Sequence, residues 1–193
     1  MKHWIFSTLS GFSLGLVAGW QVPPSFQTCL DYHCDRVKFI QLSTAHWAEV
    51  RKLFKSNASA STERRQIQQA VALLERLVGR QTGTWRDKPR NDGDSAEPGQ
   101  LDCIAESINT TTYLNLLAQD GLLAWHRVLK RRQRNPWFFD VHWTAVIEDR
   151  TDHQQYVVDS WPFANGKTPV IQTLEDWLDK RPFEHQSASQ DVP

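Results

Sequence analysis

Two β-rich runs separated by a short turn-prone stretch constrain the fold of this chain more than any other feature. The runs cover 141–148 and 154–161, with the turn-forming residues 149–152 between them. Such a pattern predicts an antiparallel hairpin. With its turn centred within 149–152, the hairpin places His142 opposite Asp159 on one face of the sheet. A shift of one residue would separate the two side chains, because successive side chains point to opposite faces.

A cysteine lies at the start of a predicted helix. Asp102 is a favoured N-cap residue, and the helix is expected to run from Cys103 to about Ala118. In the first turn, unpaired backbone N–H groups and the helix dipole favour a thiolate. A free cysteine is more often a small buried hydrophobe, so Cys103 becomes a candidate nucleophile only together with the hairpin.

Sequence patterns also predict the secondary structure of the other segments. Ser43 is expected to cap a helix through about Lys55, and Thr62 a second helix over 63–78 that Gly79 ends. Residues 80–100 are expected to form a long loop, which either borders a substrate cleft or is a flexible insertion. The remaining expectations are a strand over 122–129, a charged hairpin loop over 130–134 and a short helix near 173–178.

The basic cluster 130–134 is followed by aromatic residues, a combination that also occurs in nucleic-acid-binding proteins. A charged loop between two strands explains the cluster better. The chain has a formal net charge of zero, so no global field favours a polyanion. Nucleic acid is therefore not expected as a partner.

The N-terminus and the cysteines together predict export. Residues 1–20 have a positive start and an apolar run, as in a signal peptide or a single membrane anchor. In an oxidising compartment, Cys29 and Cys34 are close enough in sequence to form a disulfide, which leaves Cys103 unpaired. A metal site at Cys29, His33 and Cys34 lacks the usual ligand spacing, and no metal or cofactor is expected.

Three candidate residues occur in the chain order found in one enzyme family: Cys103 at a helix start, His142 in the first β-run and Asp159 in the second. The pattern resembles the transglutaminase-like branch of the papain-like superfamily, and by layout its exported bacterial cysteine proteases. The resemblance implies an α+β fold in which the helix bearing the cysteine packs on an antiparallel sheet bearing the histidine and the aspartate. It covers roughly 73–161, within a single expected domain of residues 21–185 and before a disordered tail over 186–193.

The resemblance implies a mechanism as well. His142 would take the proton of Cys103, Asp159 would hold the imidazole, and the thiolate would attack a peptide or side-chain amide. The Cys103 backbone N–H, assisted by Gln100, would stabilise the oxyanion. Water as acceptor makes the protein a peptidase or amidase, and an amine acceptor makes it a transferase. The expected location is the periplasm, free or anchored through residues 4–20.

Two other classes of protein fit the same residues. One is a catalytically inactive member of this fold that serves as a binding or scaffold protein of the cell envelope. The other is a disulfide-stabilised structural protein in which Cys103 pairs with Cys29 or Cys34. The state of the Cys103 thiol separates the second class from the rest.

Overall fold

A computed structural model of the chain describes residues 23–56, 58–92, 97–135 and 141–183. The expected signal or anchor segment over 1–20 and the expected tail over 186–193 lie outside them. The fold is α+β, as expected. Its elements in chain order are β1 (Phe26–Cys29), β2 (Val37–Ile40), α1 (Thr44–Lys52), α2 (Ala60–Thr82), α3 (Cys103–Gln119), β3 (His126–Arg134), β4 (His142–Asp149), β5 (Gln155–Asp159), β6 (Val170–Thr173) and α4 (Leu174–Leu178).

The first two helices differ from the prediction mainly at their ends. Ser43 does cap α1, its side chain accepting a hydrogen bond from the His46 N–H, but the helix ends at Lys52 and not at about residue 55. The second helix begins earlier and ends later than predicted, with Ser59 as its N-cap and Gly83 as its left-handed C-cap. Gly79 lies inside this helix, where a Cβ atom would come within 3.0 Å of the Trp85 backbone nitrogen. Close packing therefore explains that glycine.

The main sheet has four antiparallel strands in the order β3-β4-β5-β6. The basic cluster 130–134 belongs to β3, so the prediction of a hairpin loop there was wrong. β3 is an edge strand with an irregularity in its pairing between Leu129 and Arg132. Cations on an edge strand oppose pairing with a second sheet, which gives the cluster a structural explanation without nucleic acid.

The predicted hairpin is present, but its pairing is shifted by two residues. The structure pairs Ala145 with Val158 and Glu148 with Gln155, so His142 does not stand directly opposite Asp159. A two-residue shift preserves the face, because side chains alternate with a period of two. His142 and Asp159 therefore still share one face of the sheet.

Both faces of the sheet are covered. One face packs against α2 and α3 in the main core, which is built from buried aliphatic and aromatic side chains. Representative members are Trp47, Ile67, Leu74, Leu114, Leu117, Ala145, Ile147 and Val158. On the other face Val157 packs with Leu174 and Trp177 of α4. Burying each large apolar side chain contributes about 1.5–3 kcal/mol, so α4 is held firmly over the strand that carries Asp159.

A small hairpin precedes the helices. β1 and β2 pair antiparallel, and a disulfide joins Cys29 to Cys34 within their connection. This disulfide indicates an oxidising, exported environment. Within the described ranges, none of the helices is long and apolar enough to cross a membrane.

Candidate active site

The helix that carries Cys103 has a firmly fixed start. Asp102 is its N-cap, and one carboxylate oxygen accepts a hydrogen bond from the Ala105 N–H at 2.9 Å. The other oxygen contacts His33, accepting from the backbone N–H at 3.1 Å and lying 2.9 Å from Nδ1. Asn109, further along α3, bonds both the N–H and the C=O of Cys29. The disulfide loop thus packs on the first turns of α3 and fixes the position of Cys103.

Cys103 is a free, partly exposed cysteine beside the start of β4. Its Sγ atom lies 4.0 Å from the carbonyl oxygen of Val141, the residue that precedes His142. Since Cys29 and Cys34 pair with each other, the alternative of a structural disulfide to Cys103 is excluded by the structure. The thiol is available for chemistry.

His142 and Asp159 form a buried, hydrogen-bonded pair. Nε2 of the ring lies 2.7 Å from Oδ2 of Asp159, and the side chains are 4% and 5% exposed. The same carboxylate oxygen accepts a second hydrogen bond at 3.0 Å from the indole N–H of Trp177. A carboxylate on Nε2 favours the tautomer with its proton on that atom and a lone pair on Nδ1.

The second ring nitrogen is the one available to the thiol. Nδ1 of His142 is buried and makes no hydrogen bond within the described part of the chain. Burial alone would lower the pKa of His142, but the bond to Asp159 and the nearby Cys103 outweigh burial and raise that pKa to about 9. Because its pKa is about 9, the His142 imidazole keeps a proton at neutral pH. The ring can therefore serve as the partner of a thiolate.

Two indoles enclose the imidazole. The ring centroid of His142 is 4.6 Å from that of Trp161 and 5.5 Å from that of Trp177. Trp161 is itself fixed, because its indole N–H donates to the Asn91 carbonyl at 2.6 Å and its carbonyl accepts from the Arg90 N–H at 2.8 Å. These contacts exclude water and limit rotation of the imidazole, which preserves its alignment with Asp159.

Gln100 is placed differently from the expectation. Its side chain is 1% exposed, and its amide donates to the Arg86 carbonyl at 2.8 Å. Its amide oxygen accepts from the Asn91 side chain and the Lys88 N–H at 2.6 and 3.2 Å. All these contacts hold the preceding loop against the start of α3. The expected oxyanion role of Gln100 therefore has no supporting contact, whereas the Cys103 N–H keeps its place at the helix start.

A cation on β3 lies near the thiol. Arg131 donates to Ser107 Oγ at 2.9 Å, and its guanidinium lies 4.9 Å from the ring centre of Trp143. Burial lowers the pKa of Arg131, and the charge of a Cys103 thiolate acts in the opposite direction. The arginine therefore adds positive potential near Cys103, in addition to that of the His142 imidazolium.

Three buried carboxyl groups lie behind the helix start. Burial and neighbouring carboxyls, chiefly Glu75 and Asp87, raise the pKa of Glu106 well above its ordinary value. Burial also raises the pKa of Glu75 to about 7 and that of Asp87 to about 6, although hydrogen bonds oppose both changes. Asp87 accepts from the Leu101 N–H at 2.8 Å. These groups are largely protonated in mildly acidic solution. Asp87, which bonds Leu101 and Glu106, holds the 84–92 loop to the start of α3.

A cleft opens beside the buried pair. It has a volume of about 310 Å³ and is lined by His142, Asp159, Trp161 and Trp177, but not by Cys103. In the described ranges, no cluster of histidine, cysteine, aspartate and glutamate side chains could hold a metal ion.

The chain was also compared with known proteins. It matches no model of a protein family, no curated protein and no solved structure. The case for the site therefore rests on its own geometry. The structure brings together Cys103, His142 and Asp159, which the sequence had singled out.

Several contributors were missed at the sequence level. Trp161 and Trp177 had been assigned only to secondary-structure elements, and Arg131 to a surface loop. Trp161 directly follows the Asp159–Ser160 pair in the sequence, so its proximity to the site could have been anticipated. Trp177 lies 18 residues after Asp159, and nothing in the local pattern indicates that α4 folds back over β5.

Proposed function

We propose that the protein is an exported cysteine hydrolase that cleaves a peptide or side-chain amide with Cys103, His142 and Asp159. The observation that carries the proposal is the buried 2.7 Å bond between His142 Nε2 and Asp159 Oδ2, with the opposite nitrogen left without a partner in the described chain. An imidazole held in this way can take the thiol proton and keep it, which gives a thiolate–imidazolium pair. The free thiol lies beside the first residues of the same strand.

The reaction has two balanced steps. Nδ1 of His142 takes the thiol proton, and the sulfur attacks the amide carbonyl to form a tetrahedral oxyanion. The C–N bond then breaks, the imidazolium gives its proton to the leaving nitrogen, and a thioester to Cys103 remains. Water, deprotonated by His142, attacks the thioester, so that the acid is released and the thiol regains its proton.

The chain's own groups stabilise each charge. The raised pKa of His142 favours the imidazolium that forms in the first step, and Asp159 with Trp177 fixes the ring. The backbone N–H groups at the start of α3 face developing negative charge at the nucleophile and the oxyanion. One such donor typically contributes about 3 kcal/mol to transition-state stabilisation. We also propose that the protein has a transglutaminase-like core, belongs to that family and is located in the periplasm.

Alkylation of the thiol tests the site itself. The full-length oxidised protein has Cys103 as its free cysteine, so iodoacetamide labels one position, identified by peptide mass. We expect fast alkylation at pH 6, where an ordinary thiol, ionising near pH 8.5, reacts slowly. His142→Ala should abolish the fast reaction. His153→Ala, at an exposed histidine that contacts Glu148, is the matched control and should leave the rate unchanged.

Hydrolysis of amide substrates tests the activity. Peptide and protein substrates are incubated with the wild type and with Cys103→Ser, and new amino termini are counted. Cleavage that depends on Cys103 supports the hydrolase. A fast, His142-dependent thiol without any cleavage would favour the inactive scaffold protein, and a slow thiol insensitive to His142→Ala would refute the site altogether.

A further inference from the structure

The cleft beside His142 is strongly cationic. Four basic side chains line it, from three separate parts of the chain: Arg90, Arg134, Lys180 and Arg181. The protein as a whole has no net charge, so this is a local concentration. Among the described residues that line the cleft, Asp159 is the single acidic side chain, and it is already bonded to His142 and Trp177.

Two of these cations, Arg90 and Arg134, have no carboxylate partner among the residues that the structure describes. Across the described ranges, no acidic group lies within ion-pair distance of Arg90 or Arg134, whereas Arg181 contacts Asp176 at 2.7 Å and Asp179 at 3.2 Å. Arg134 donates to the Trp177 carbonyl at 2.8 Å and lies over its indole. Its Nε atom is buried without a hydrogen-bond partner in the described chain. A guanidinium fixed in this way, with donor capacity left over, is suited to bind a carboxylate.

The position of the cleft identifies which part of a substrate reaches it. In the proposed reaction the acyl group becomes attached to Cys103, and the leaving amine takes its proton from His142. The cleft touches His142 and not Cys103. It therefore lies on the side of the leaving group.

We propose that the cleft binds a carboxylate carried by the leaving group, so that the enzyme prefers amides whose amine portion is a short acidic or carboxyl-terminal peptide segment. This inference rests on the proposed function. Trp161, Pro162 and Phe183 supply apolar walls for the stem of such a segment. The volume of about 310 Å³ is at the low end of the roughly 300–1,000 Å³ typical of ligand pockets, which suits a short segment.

Binding to an unreactive variant tests the preference without requiring turnover. Full-length Cys103→Ser is titrated by calorimetry at low salt with three probes: acetyl-Ala-Ala with a free carboxylate, the same peptide amidated, and acetyl-Ala-Glu amidated. We expect at least one carboxylate peptide to bind about tenfold or more tightly than the neutral one. Tighter binding of the first or the third probe shows whether the carboxylate comes from a chain terminus or a side chain.

Substitutions then assign the binding to the cleft. Arg90→Gln, at a side chain that makes no hydrogen bond in the described structure, should remove most of the preference, and Arg134→Lys should retain part of it because the charge remains. Arg132→Gln removes an exposed cation that does not line the cleft and should change nothing. Equal affinity for charged and neutral probes, or a preference insensitive to Arg90→Gln, would overturn the inference. Failure of the hydrolase proposal would appear separately, in the alkylation of the wild type.

Discussion

Replacement of Asp159 by asparagine perturbs the site at the bond on which its chemistry depends. The carboxylate bonds the His142 ring at 2.7 Å in a buried environment. Asparagine keeps the size and one acceptor but removes the charge. Without that charge, burial should dominate and the pKa of His142 should fall to its ordinary value or below. The thiolate–imidazolium pair then becomes a minor species at neutral pH.

The magnitude follows from the pKa of His142. It is raised from 6.5 to about 9, and each unit corresponds to about 1.4 kcal/mol. Asp159 and Cys103 together therefore favour the imidazolium by about 3 kcal/mol beyond the cost of burial. Since the bond to Asp159 is the largest of the favourable contributions, we expect Asp159→Asn to slow alkylation of Cys103 at pH 6 by about 10- to 100-fold.

Two measurements check this reasoning. The alkylation rate of Cys103 is followed from pH 5 to 10, and the His142 ring is titrated directly by NMR. Asp152→Asn is the matched control, since this exposed aspartate lies in the turn of the same hairpin and, among the described residues, accepts a hydrogen bond from the Gln154 N–H alone. If the ring of the Asp159→Asn protein still titrates near pH 9, the carboxylate is not what holds the proton, and the argument fails.

The same substitution changes the pH dependence of stability. A histidine whose pKa is raised on folding stabilises the folded protein fully below its unfolded value of about 6.5, and this contribution is lost as the pH rises through about 9. The difference in unfolding free energy between wild type and Asp159→Asn should therefore be largest near pH 6 and shrink toward pH 9. Urea unfolding at several pH values measures it.

Three further outcomes follow from the structure. Trp177→Phe removes the 3.0 Å indole bond to the Asp159 carboxylate, and urea unfolding should show a loss of about 1.5–3 kcal/mol. Replacing both Cys29 and Cys34 by serine opens a loop of sequence separation 5 and should cost about 2 kcal/mol, measured as a lower midpoint of unfolding. The pKa of Glu75, raised by burial from 4.5 to about 7, makes stability decline across that interval, and Glu75→Gln should flatten the measured pH profile.

The parts of the site that obey local rules were predictable from the sequence. Asp102 caps the helix of Cys103 as expected, because a side-chain oxygen at that position satisfies a backbone N–H that the helix leaves unpaired. The shared face of His142 and Asp159 was also predictable, since it depends only on whether the register shift is even or odd. The pairing itself was wrong by two residues. Asp149 bonds both the N–H and the hydroxyl of Thr151, and the turn extends to His153, which has a positive φ of 61°.

What depends on tertiary packing could not be predicted. The described parts of the predicted loop, 83–92 and 97–100, are tightly bonded, because the buried Gln100 bonds the Arg86 carbonyl and the buried Asp87 bonds the Leu101 N–H. Buried polar residues of this kind look like ordinary loop residues in a sequence, where exposure is the default for their type. The loop carries Arg90 to the cleft, while Arg134 arrives from an edge strand that the sequence pattern had assigned to a turn.

The residues of the candidate site are held in place in two different ways. The nucleophile, its base and the carboxylate are fixed by a helix cap, a strand face and a buried bond, and a change of one residue in register would separate them. The cations that line the cleft lie on a loop, a strand edge and the segment after α4, where substitution leaves the core intact. Arg90 and Lys180 are exposed, so replacing them should alter which leaving group binds while the thiol keeps its reactivity. Substitutions of these cations should therefore change the preference for a carboxylate without changing the alkylation rate of Cys103.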